Sequence, residues 1–170
     1  MPLITQTAAG YFTAHNATIV GDVTIGQLSS FWFATVVRGD VAAVHIGQRV
    51  NLQDGAIIHC DTGEDNIIED DVSIAHGAVV HGQFVGRGTL IGMNATVLGR
   101  TRIGSQCLIA AGTVLSPGTE VPDRTVVMGV PGEIVRPVRE QELQYMTWVR
   151  DRYIELAHQY IAGRFKSATE

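Results

Sequence analysis

An all-β solenoid of parallel strands, closed by one C-terminal α-helix, is the fold class this sequence predicts, and three observations predict it. The first is a repeat of six: Val85, Ile91, Val97, Ile103, Ile109, Leu115, Val121 and Val127 are all aliphatic. The second is a small residue four positions after each of the first seven, at Thr89, Ala95, Thr101, Cys107, Thr113, Thr119 and Thr125. The third is a change of period near the C-terminus, where Met146, Val149, Tyr153, Leu156 and Tyr160 follow at steps of 3, 4, 3 and 4.

A period of six suits neither a helix nor an alternating strand. It fits short flat strands joined by tight corners, with the large aliphatic residue pointing inward and the small one filling the bend. Three such faces close a coil of roughly 18 residues, and coils stack around a dry central column. Taken from the N-terminus, the phase runs through Ile19, Ile25, Phe31 and Val37. It slips three residues to Ile46, Leu52 and Ile58, and four more to Ile68, Ile74 and Val80; the step to Val85 is one short. The slips place corner irregularities at 42–45, in CDTGEDN at 60–66, and at 84–85. Insertions in solenoids map to loops, often on the functional side. Two prolines in MGVPGEIVRP end the repeat, and the 3,4-spaced stretch beyond reads as an amphipathic helix of about five turns. The expected division is therefore a β-helix domain at 1–136 and, at 137–170, a helix packing on the solenoid or on a neighbouring subunit.

Composition narrows the function classes. A net charge of −5 with 17% charged residues offers no basic surface for nucleic acid or anionic lipid. The N-terminus lacks a basic, apolar signal-peptide pattern, and no stretch approaches membrane-spanning length. Cys60 and Cys107 make no disulfide framework, which fits a cytoplasmic location.

Counting by coil gives the histidines a meaning. Arg38 to His59 is 21 residues and His59 to His81 is 22, one coil plus each insertion. The three therefore form one outward column, each just after an inward aliphatic residue. Stacked strands lie about 4.8 Å apart, so two such imidazoles can converge on one Zn2+ with Zn–N near 2.0–2.1 Å. Asp54 and His76 are also one coil apart, but on the preceding face. His76 cannot easily join the other two within one chain, whereas a cyclic trimer brings one chain's face against the next chain's edge. His15, His45 and His158 have no comparable partner and read as structural.

The segments VVRGD (36–40), NLQDGAIIHC (51–60), IAHGAVVHG (74–82), LIGMNATV (90–97) and GVPGEIVR (129–136) resemble the γ-class carbonic anhydrase-like family of hexapeptide-repeat proteins. The resemblance covers nearly the whole solenoid. It implies a left-handed β-helix, where the general crossover rule predicts the right hand. It also implies a homotrimer with Zn2+ (or Fe2+ or Co2+) at the subunit interfaces, held by His59, His76 and His81. In the family a Gln matching Gln53 hydrogen-bonds the water or bicarbonate at the metal. Residues matching Arg38, Asp40 and Asp54 build interface contacts, and a tyrosine of the C-terminal helix, for which Tyr160 is the candidate, approaches the site. The implied substrate pair is CO2 and bicarbonate. Three neutral imidazoles leave an open position on zinc, where water ionises near neutral pH.

One departure stands out. Val41 follows Asp40 where the family's prototype carries a proton-relaying acid, and the acidic loop is short. Relay then falls to Glu64, Asp65 or buffer. Two other classes remain open: a hexapeptide acyltransferase or acyl-CoA thioesterase, and a non-catalytic trimeric assembly protein.

Overall fold

The structure is a computed structural model and describes residues 2–167; Met1 and 168–170, the outer ends of the two expected domains, lie outside the described residues. The repeat of six becomes a parallel β-helix. Nine strands form one face, in chain order along the stack, and a ten-stranded sheet wraps the other two faces. The long strand Val36–Ile46 joins those two faces. Its first residues pair with Ile57–Ile58 and its last with Asn66–Ile68.

The registers reproduce the expected coil lengths. Ser30 pairs with Asn51, Asn51 with Ser73, Ser73 with Leu90, and Leu90 with Leu108. Those steps are 21, 22, 17 and 18 residues, so each insertion and the single deletion sits where the phase slips. All eight aliphatic residues from Val85 to Val127 are buried, none more than 4% exposed. Each such side chain contributes about 1.5–3 kcal/mol, which spreads stability along the column rather than concentrating it. Small corner residues tie adjacent turns: Thr89 donates to the Gly104 carbonyl at 2.8 Å, and Thr101 to that of Ser116 at 3.2 Å. Cys60 and Cys107 are buried free thiols.

Both ends of the nine-stranded face reverse direction. Ile4–Gln6 runs antiparallel to Phe12–Ala14, and Glu133–Pro137 antiparallel to Thr125–Met128. The helix Glu140–Ile161 lies on this face. Met146 and Val149 pack on Leu90 and Val126, while Ala157 joins Phe12 and Trp32. Arg136 grips Glu142 with two hydrogen bonds (2.8 and 2.6 Å), and Glu142 also accepts the Arg139 N–H, so the helix start is fastened to the strand before it. Half-way along, Arg150 reaches Asp71 at 3.3 Å, on a corner that Arg49 also grips. Among the described residues no helix is long and apolar enough to cross a membrane.

Candidate metal centre

Coil stacking puts His59 directly beneath His81, because Ile58 and Val80 are paired residues of adjacent strands. Their ring centroids lie 5.0 Å apart, close to the strand spacing. Asp54 and His76 are stacked in the same way one corner earlier, and the Gly77 N–H bonds the Asp54 carbonyl. Gly77 turns the chain with φ +68°, and a side chain there would overlap the Asn94 amide.

Each of the three histidines is held by its own carboxylate. His59 Nε2 lies 3.0 Å from Asp40, His76 Nδ1 3.0 Å from Asp54, and His81 Nε2 2.9 Å from Asp61. A carboxylate on one ring nitrogen fixes the tautomer and orientation of an imidazole, the usual setting of a metal-ligating histidine. His45, with Asp65 at 3.7 Å and Thr24 on its Nδ1, stands apart from the set. Arg38 pairs with Asp40, and Arg38 and then His59 hold the Asp40 carboxyl below its usual range. Three neutral imidazoles form a donor set that fits a divalent metal. They do not meet within one chain: among the described residues no three His, Cys, Asp or Glu side chains converge.

Gln53 is 4% exposed, and its Nε2 donates to Asn51 Oδ1 at 3.0 Å. Asn51 Nδ2 in turn donates to Ser73 Oγ at 2.7 Å, one coil on. This chain of bonds sets which way the Gln53 amide faces. Gln53, His76, Met93, Tyr145, Trp148 and Tyr153 line a cavity of about 250 Å³ beneath the helix. A larger hollow, about 630 Å³, runs along the helix flank by Gln106, Arg124 and Asp151 and includes none of the histidines.

The helix tyrosine beside the site is not the expected one. Tyr160 packs among Trp32, Phe33 and Phe165, with ring centroids 4.6–5.9 Å away. Tyr153, two turns earlier on the same stripe, places its hydroxyl 3.2 Å from His76 Nε2. Burial first, then the charge of Asp54, pushes Tyr153 up to about 12, so its O–H remains a donor. The acids of the inserted loop each have a different setting. Asp65 accepts the Ala43 N–H, and one Glu64 oxygen is buried without a partner, whereas Asp61 of the same loop meets His81. Gly99 makes that contact fit, since a side chain there would overlap the Asp61 carboxylate.

Sequence reasoning missed Asn51, Ser73, Asp61 and Tyr153. Asn51 had a signal: Asn51 and Gln53 flank the inward Leu52 and so share a face. Asp61 had none, lying in an insertion outside the repeat.

Comparison with known proteins bears on the family and the fold. A profile of bacterial transferase hexapeptide repeats (six repeats) matches residues 84–117. A protein of Methanocaldococcus jannaschii named as a carbonic anhydrase is 44% identical over 85% of this chain and 91% of its own. A Geobacillus kaustophilus carbonic anhydrase is 41% identical over 92% and 86%. A Bacillus cereus crystal structure described as an acetyltransferase superposes with a TM-score of 0.87 at 36% identity, covering 91% of this chain and 90% of that one.

Proposed function

Because the chain belongs to the γ-class carbonic anhydrase-like family of left-handed β-helix, hexapeptide-repeat proteins, we propose that it catalyses the reversible hydration of CO2 to bicarbonate at metal sites shared between subunits of a homotrimer. The observation that carries this reading is the set of three histidines, each on its own aspartate, with two stacked and the third around a corner. His59 and His81 of one subunit and His76 of the next hold Zn2+, with Fe2+ or Co2+ as alternative ions. When bound, such an ion supplies ionisation of a water near neutral pH.

The chain's own groups do the rest. Asp40, Asp54 and Asp61 keep the imidazoles aligned. Gln53, fixed through Asn51 and Ser73, orients bicarbonate by hydrogen bonding. Tyr153 offers an O–H beside His76, and the cavity under Met93 and Trp148 provides an apolar wall for CO2. The two free thiols suit a reducing cytoplasm.

The test is metal analysis combined with a CO2 hydration assay. Purified protein is expected to hold about one divalent ion per chain. His81→Ala should strip both metal and activity, and His45→Ala should leave both. Equal losses in the two variants would refute the ligand assignment. The likeness to a protein described as an acetyltransferase supports a second reading, acyl transfer from coenzyme A. Turnover of acyl-CoA substrates without CO2 hydration would favour it, and bound metal with neither activity would favour an assembly protein.

A further inference from the structure

We propose that Asn66 is a positioning residue of the metal centre, whose carboxamide fixes the offset between the coils carrying His59 and His81. The inference rests on the metal-ligand reading above and adds a residue that does not itself bind the ion.

Asn66 opens the strand Asn66–Ile68, directly after the four-residue insertion, and is fully buried. Its Nδ2 donates to the His59 carbonyl at 2.8 Å and to the Val80 carbonyl at 3.2 Å. The Val80 carbonyl belongs to the peptide whose nitrogen is that of His81. One planar nitrogen therefore grips the backbone beside both histidines, on two adjacent coils. The amide cannot be turned over, because Oδ1 would then face two carbonyl oxygens.

The arrangement has a cost. Asn66 Oδ1 is buried with no partner, and a buried acceptor left unsatisfied is destabilising. Elsewhere in the same corner column the chain avoids it. Register places Gln83, Thr101 and Thr119 above Asn66. Gln83 turns out to meet Arg102, while Thr101 and Thr119 bridge to the Ser116 carbonyl with single hydroxyl donors. Where the insertion lies between the two stacked histidines, the column carries two donors on one rigid group instead. Two imidazoles sharing an ion tolerate little change in spacing, and a fixed coil offset is what they need.

The experiment uses the assembled protein and Asn66→Thr, which keeps one donor and removes the orphaned oxygen. Zn2+ affinity is measured by chelator competition, alongside the visible spectrum of the Co2+ form and the melting temperature of the metal-free protein. Thr89→Ala, which deletes a buried corner hydroxyl away from the histidines, is the control. We expect Asn66→Thr to weaken Zn2+ binding about tenfold or more and to alter the Co2+ spectrum, with Thr89→Ala within twofold of wild type. Wild-type affinity and spectrum in Asn66→Thr would overturn the proposal. If that variant does not fold, the wild-type protein decides: the Asn66 side-chain amide resonances should move on adding Zn2+, and unmoved resonances would overturn it. Failure of the wild type to bind metal would bring down the ligand assignment itself, a different result from metal binding that ignores Asn66.

Discussion

Tyr153 and Tyr160 differ by two helical turns and share one apolar stripe, yet only one reaches a histidine. Removing the Tyr153 hydroxyl should therefore matter more. Tyr153→Phe is expected to lower kcat/KM for CO2 hydration about tenfold with metal content unchanged, the scale of losing one hydrogen bond. Tyr160→Phe should stay within twofold, and a reversed order in the same assay would return the role to Tyr160. The stripe was readable from 3,4 spacing, but not which turn lies over the His76 corner. That depends on where the antiparallel strand Glu133–Pro137 delivers the helix start, a tertiary fact with no local signal. The histidines were legible for the opposite reason. The repeat supplies a ruler, so His59 above Arg38 and His81 above His59 follow from counting once the insertions are recognised. Asp61 lies in the insertion, where the ruler stops.

The helix is held as an element by two polar anchors and an apolar face. At its start, Arg136 and then the Arg139 N–H hold the Glu142 carboxyl down at about 2, against an ordinary value of 4.5. A carboxyl lowered on folding stabilises the native state fully above its unfolded pKa, and that contribution declines as pH falls through the folded one. The anchor is therefore complete above pH 4.5, weakens below it and is gone below about 2. Glu142→Gln should lower the melting temperature at pH 7 by about 2–4 °C, the shift of about 1 kcal/mol in a domain this size, because the pair is partly exposed. The difference between variant and wild type should vanish near pH 2. A difference that persists there would mean that packing rather than the ion pair was lost.

At the scale of the assembly, the separation of His76 from the stacked pair makes subunit mixing informative. His76→Ala and His81→Ala are each expected to be inactive alone. Refolded together in equal amounts, an intact site forms where the His59/His81 edge comes from a His76→Ala chain and His76 comes from a His81→Ala chain. Two independent choices of one half predict that roughly a quarter of sites regain three ligands. Metal content or CO2 hydration of the mixture, against each variant refolded alone, is the readout. Recovery near zero in trimers confirmed to be mixed would rule out the shared site.

The reversed strands at the two ends of the nine-stranded face bear on what the molecule does not become. A stack of parallel rungs is a template, and an identical rung from another chain could extend it indefinitely into a fibre. On this face an incoming rung meets Ile4–Gln6 at one end and Glu133–Pro137 at the other, each running against the stack. Pro137 also has no N–H to offer a newcomer. With Val130, Ile134 and Val135 exposed near that end, the turned-back strand limits polymer growth that the repeat itself would favour.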